Sequence, residues 1–177
     1  MTNAVTVKNI TFQEGETLIC VPLIGKTLDE ILGNAHGLVD AGADIINMSF
    51  GGYERIRAEE DAVAYAVSKG CLMVAASGNE GSSRDFAGEY SYPASYDNVI
   101  SVASVGQNDV ACGFSQYNDM VDIAAPGEFL TLLGSTSGVM YDNGTSFSAA
   151  YVSAAAALAD AYCGRRLGSA AFEKLLE

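Results

Sequence analysis

Three uninterrupted apolar runs, "ADIINMSF" at 43–50, "CLMVAAS" at 71–77 and "VISVASV" at 99–105, constrain the fold of this chain more than any other feature. Runs of this kind, without the alternation of a half-exposed strand, are the pattern of strands buried on both faces of a parallel sheet. Between the first two lies 58–69, which opens with Glu59, Glu60 and Asp61, sets Ala62, Val63, Ala66 and Val67 on one face and closes on Lys69-Gly70. An acidic first turn, an apolar stripe and a terminal glycine predict a helix. Strand, helix, strand in that order needs a crossover connection, so the fold class expected is α/β, with three layers and a mostly parallel sheet.

The same pattern extends to both ends of the chain. "VTVKNITF" alternates, "TLICVPLI" at 17–24 reads as another strand, and 27–41 carries Leu28, Ile31, Leu32, Ala35, Leu38 and Val39 at helical spacing. From 106 to 143 the sequence is rich in turn residues, with short apolar pieces "VDIAA" and "FLTLL" on either side of Pro126-Gly127. Two helices are expected to follow, from Ser146 to about Tyr162 and from Ser169 to Leu176. The first is alanine-rich and reads as a buried helix, too short and too weakly apolar to span a bilayer.

With 177 residues and 49% hydrophobic content the chain is long enough to bury the core of one domain. Its 22 acidic against 9 basic residues give a net charge of −13, which repels phosphate backbones and anionic lipid heads. Neither nucleic acid nor a membrane surface is therefore expected as a partner. The start, "MTNAVTVKNITFQEGETLIC", has no apolar segment behind a basic end, so no signal peptide is expected and a cytoplasmic location is the default. Cys20, Cys71, Cys112 and Cys163 lie far apart with no CxxC spacing, which argues against zinc and for buried free thiols.

The stretch "DNGTSFSAAYVSAAAALADAY" at 142–162 places Ser146 where a glycine-bearing turn enters a helix. A helix N-terminus offers unpaired N–H groups and a positive dipole end, so a serine there is either a cap or a nucleophile beside a site for developing negative charge. A nucleophilic serine needs a base, and the chain has one histidine, His36.

Three separated segments, "GADIINMSFGG" at 42–52, "VAASGNEG" at 74–81 and "NGTSFSAAYVSAAAAL" at 143–158, resemble the subtilisin-like serine peptidases, and "YPASYDNVISVASV" and "FSQYNDMVDIAAPG" fall between them in the family's order. The resemblance implies a truncated subtilisin-like fold in which Ser146 is the nucleophile. It also implies that Asn79, with the backbone N–H of the nucleophile, forms the oxyanion hole. Ser49, Phe50 and Gly51 on one side and Ala76, Ser77 and Gly78 on the other would flank the S1 pocket, with Glu80 at its rim. The implied partner is a peptide or protein substrate, with a large apolar P1 side chain preferred and Lys next. No cofactor or metal is implied in the chemistry.

The family's aspartate and histidine motifs, which precede the "INMS" strand, have no match here. His36 falls about 80° round its helix from the apolar face, which predicts an exposed position on the flank rather than a base. The chain is thus expected to be inactive as a peptidase by itself, with a complementing N-terminal fragment as a further partner. Ala150 and Tyr151 stand where the family has proline and histidine after the nucleophile. The whole of 1–177 is expected to be one domain, subtilase-like over 42–177, with 1–41 an atypical first strand and helix. Residues 1–32 resemble the N-terminus of type I 3-dehydroquinate dehydratases. That family's acid-Trp-Arg motif, Schiff-base lysine and partner histidine have no counterpart, so its activity is not carried over, and a join between two unrelated pieces is the favoured explanation. The alternative function is a non-catalytic, peptide-binding fragment.

Overall fold

The computed structural model describes residues 36–133, 138–164 and 166–176. Four parallel strands, β1 (Ile45–Met48), β2 (Leu72–Ala76), β3 (Val99–Val105) and β4 (Ile123–Pro126), lie in the sheet in chain order. Ile46 pairs with Met73, Val74 with Ile100, and Ala103 with Ala124. An antiparallel hairpin of β5 (Leu130–Leu133) and β6 (Val139–Asp142) follows. The helices are α1 (Arg57–Ser68), α2 (Thr145–Cys163) and α3 (Ser169–Leu176), and residues 36–40 are also helical.

Successive strand side chains point to opposite faces, and this alternation divides the core in two. Ile46, Met48, Met73, Ala75 and Val99 pack with Val39, Val63 and Ala66, so the helical residues 36–40 and α1 cover one face. Leu72, Val74, Ala76, Ile100, Val102 and Ala125 pack with Ala149, Val152, Ala156 and Phe172, so α2 and α3 cover the other. The three-layer α/β arrangement expected from the apolar runs is what forms. β2, central and flanked on both sides, is buried at all five positions.

Three expectations need correction. The run 43–50 yields only a four-residue strand, with Ile45 half-buried and Asn47 exposed, because β1 is an edge strand of the described sheet. The helix of 145–163 is not buried all round. One face packs on the sheet, and the other leaves Tyr151 53%, Leu158 71% and Tyr162 94% exposed. Of the cysteines, Cys71 and Cys112 are buried as expected, but Cys163, at the exposed end of α2, is not. The strands expected at 5–12 and 17–24, the first part of the helix at 27–41, and Cys20 lie outside the described residues.

α1 begins without a side-chain cap of its own. Instead the buried Tyr96 hydroxyl accepts from the Ile56 N–H at 3.0 Å and donates to the Ile56 carbonyl at 3.0 Å. Glu59 and Glu60 in the first turn complement the helix dipole. Burial pushes the Glu59 carboxyl above the ordinary range, the polar Tyr96 hydroxyl nearby acting against the rise.

The end of β4 is joined to the start of α2 by close backbone approach. The Gly127 N–H donates to the Val105 carbonyl at 3.1 Å, and the Gly144 N–H donates to the Gly127 carbonyl at 2.8 Å. A Cβ on Gly127 would lie 2.0 Å from the Ser104 Oγ and 2.4 Å from the Ser148 Oγ, so only glycine fits.

Two measurements check this packing. Gly127→Ala should lower stability by about 2 kcal/mol in urea titration, the cost of overpacking a filled site. Gly113→Ala, where an added Cβ meets nothing within 4 Å, should change it by less than about 0.5 kcal/mol. For Glu59 the sign follows from linkage: the folded carboxyl keeps its proton to higher pH than the unfolded one, so its contribution to stability falls as pH rises through that interval. Glu59→Gln should therefore melt close to wild type at about pH 4 and above it at neutral pH, as read by thermal unfolding at the two pH values.

Candidate active site

The C-terminal ends of β1 and β2 meet the N-terminus of α2, and the sequence-predicted residues converge there. Ser146, half-buried, is the second residue of α2. Its hydroxyl donates to the Ser49 carbonyl at 3.2 Å, while the Ser49 hydroxyl donates to the Ser146 carbonyl at 2.8 Å. This reciprocal pair clamps the end of β1 to the start of α2. It is backed by Asn47, whose Nδ2 donates to the Ser49 Oγ at 2.8 Å and whose Oδ1 accepts from the Ser153 hydroxyl at 3.0 Å.

Gly144, at the N-cap of α2, has no side chain to bind the helix's first free N–H groups. Asn79, in the loop after β2, takes that role from 66 residues away. Its Oδ1 accepts from the Thr145 N–H at 2.9 Å and from the Thr145 Oγ1 at 3.0 Å. The backbone donor fixes which end of the amide is oxygen, so the amide nitrogen is turned away from Thr145. Neither Asn79 Nδ2 nor the Ser146 N–H has a hydrogen-bond partner among the described residues. Both residues line one cleft, so two donors without partners belong to its wall, and free donors are what an oxyanion requires. Thr145, fully buried, also accepts from the Gly78 N–H at 3.3 Å, which binds the other wall of the site to the same helix turn.

A cleft of about 200 Å³ opens beside Ser146. Ser49, Phe50, Gly51, Ala76, Gly78, Asn79 and Glu80 line it, so seven of the eight predicted residues other than Glu80 reach it when Ser146 is counted. The exception is Ser77, which is buried and donates its hydroxyl inward to the Gln116 carbonyl at 3.4 Å. The small size of Gly51 serves pairing rather than room in the cleft: a Cβ there would sit 2.8 Å from the Ser91 Oγ and 3.1 Å from the Tyr92 carbonyl oxygen. Gly52 forms an antiparallel bridge with that same Tyr92.

Tyr53, Thr145 and Gln116 went unread in the sequence as parts of the site. Tyr53 lines the cleft and donates its hydroxyl to Glu80 Oε2 at 2.6 Å. Burial, then the hydrogen bond to Glu80, raises the Tyr53 phenol well above its ordinary range and keeps it a donor. Gln116, with no exposed surface, donates its backbone N–H to the Gly78 carbonyl at 2.9 Å. Nothing short-range in the sequence marks these contacts.

His36 is not brought to the site. It is exposed, with its ring edge-on to Tyr65 at 4.9 Å between centroids, in the layer that covers the α1 face of the sheet. α2 packs on the opposite face. No group of three or more His, Cys, Asp or Glu side chains gathers to hold a metal among the described residues. Nor, among them, is any helix long and apolar enough to cross a membrane.

Comparison with known proteins accounts for this arrangement. Over 132 residues the chain is 40% identical to a thermophilic serine proteinase of Bacillus sp. (strain AK1), matching 75% of this chain and 32% of that protein. The solved structure of the self-cleaved protease domain of PatA superposes with a TM-score of 0.75 at 28% identity, over 85% of this chain and 58% of that one. The chain therefore spans less than two thirds of the length of these relatives. A separate match, 82% identical over 57 residues, is to 3-dehydroquinate dehydratase of Klebsiella pneumoniae (strain 342), covering 32% of this chain and 23% of that enzyme. It bears out the second resemblance and supports a chimeric origin. The family model that matches, over residues 20–167, is that of the subtilase family, and the chain belongs to it.

Proposed function

We propose that the chain carries the nucleophile-bearing part of a subtilisin-like serine endopeptidase. Ser146 attacks the scissile carbonyl, and its own N–H with the Asn79 amide nitrogen receives the resulting oxyanion. Ser49 to Gly51 and Ala76 to Gly78 are the edges between which an extended peptide lies as an added strand. The observation that carries this reading is the tie of the Asn79 oxygen to Thr145, which leaves the amide nitrogen free in a residue that lines the cleft together with Ser146. The substrate is a peptide or protein whose P1 side chain enters the cleft, Phe, Leu and Tyr binding best and Lys next because Glu80 stands at the rim.

The base and its orienting acid belong to the N-terminal part of such a domain, supplied by the same polypeptide or in trans. His36 does not serve, being packed against Tyr65. The chain alone has negligible turnover. A second reading, peptide binding without catalysis, is favoured by the Ser146 hydroxyl's donation to a backbone carbonyl, which is no base.

Purified chain with a chromogenic peptide should give no turnover above the roughly 10³- to 10⁴-fold over water that remains when a subtilisin loses its triad. Addition of an N-terminal fragment bearing the aspartate and histidine motifs should restore activity that Ser146→Ala abolishes. Ordinary enzymatic rates from the chain alone, lost in Ser146→Ala, would refute the need for a partner. Asn79 separates its two roles by substitution. Asn79→Ala should cost about 1 kcal/mol in urea titration through loss of the helix cap. Asn79→Asp should keep most of that stability, and both should lower kcat of the complemented enzyme by about 10²- to 10³-fold, the size such a donor has in a subtilisin.

A further inference from the structure

The residue beside the cleft whose chemistry is still unassigned is Tyr53. We infer that Tyr53 is a specificity-positioning residue: its hydroxyl holds the Glu80 carboxylate folded over the cleft, where it meets the cationic tip of a basic P1 side chain. This rests on the reading of the cleft as the P1 site.

The geometry is unusual for an exposed glutamate. Water would draw the free carboxylate outward, yet Glu80 Oε2 accepts two hydrogen bonds within the site, from the Tyr53 hydroxyl at 2.6 Å and from the Asn79 N–H at 2.8 Å. That oxygen lies 3.4 Å from where a Cβ on Gly78 would be, so the carboxylate is turned back against the wall of the cleft. Both donors act on Oε2 alone, which leaves Oε1 without a hydrogen-bond partner among the described residues and open to an incoming ammonium or guanidinium.

Tyr53 is itself held in place. Its ring stacks on Phe86 with centroids 4.6 Å apart and planes 20° from parallel. The Phe86 carbonyl accepts from Gln116 Nε2 at 2.5 Å, and the Gly88 N–H donates to Gln116 Oε1 at 3.0 Å. Gln116 also packs its Cβ and Cγ beneath Gly78, so one buried side chain braces both the wall of the cleft and the loop under Tyr53. The Tyr53 phenol, raised in pKa by burial and by Glu80, stays protonated and donating across the range in which a lysine is charged.

The test is a binding measurement, because the chain alone is not expected to turn over. Fluorescent peptides identical except for Lys or Phe at P1 are titrated by anisotropy against wild type, Tyr53→Phe, Glu80→Gln and the double variant. Tyr53→Phe should reduce the Lys-to-Phe affinity ratio by about tenfold, the scale of one charge-assisted hydrogen bond. Glu80→Gln should reduce the ratio at least as far, and the double variant should lose nothing beyond Glu80→Gln, since the two residues act through one carboxylate. An unchanged ratio in Tyr53→Phe, or losses that add in the double variant, overturns the inference while the P1 reading of the cleft stands. If wild type binds neither peptide, both fall.

Discussion

The site depends on how the start of one helix is held. α2 begins at a glycine with no capping side chain, so its first N–H groups must find partners elsewhere, and Asn79 provides one from the far side of the cleft. That single acceptor does two things at once. It satisfies a helix terminus, and it fixes the amide so that its nitrogen is the end turned away from Thr145. Ser49 and Ser146 secure the other edge by exchanging hydroxyl-to-carbonyl bonds. Take away the helix start and neither wall of the cleft has a fixed position relative to the serine.

Gly78, Asn79 and Glu80 show how little of this wall is independent. The Gly78 N–H reaches Thr145, its carbonyl receives Gln116, and the Asn79 N–H goes to Glu80. Three consecutive residues are therefore tied to α2, to the loop before β4 and to Tyr53. Charge and shape in the cleft are set by partners that are not neighbours in the chain.

That separation explains what could and could not be read from the sequence. β2 and β3 were legible because a strand buried on both faces leaves a continuous apolar run, and α1 because its acidic start, apolar stripe and terminal glycine all lie within its own residues. Ser146 and Asn79 were singled out as candidates through short family motifs, and both line the cleft. β1 was misjudged because its run looks as apolar as that of β2, and nothing within Ile45–Met48 says that β2 is its single partner among the described residues. Alanine likewise does not distinguish a buried face from an exposed one, which is why α2 was read as a buried helix. Tyr53 and Gln116 were missed for a different reason: their roles exist as contacts to Gly78, Glu80 and the 86–88 loop, 27 or more residues away.

The open face of α2 has a consequence for the molecule in bulk solution. Tyr151, Leu158 and Tyr162 expose apolar surface along one helix, and Phe129, Val139 and Tyr141 add more from the β5–β6 hairpin. Surface of this kind draws copies together, whereas a net charge of −13 drives them apart. The two tendencies differ in range and in response to salt. Repulsion between whole molecules is screened within about 10 Å at 0.1 M salt, while attraction between apolar faces is not. Dispersal of this chain is thus an electrostatic property of its acidic surface, strongest in dilute buffer and weakening as ions are added.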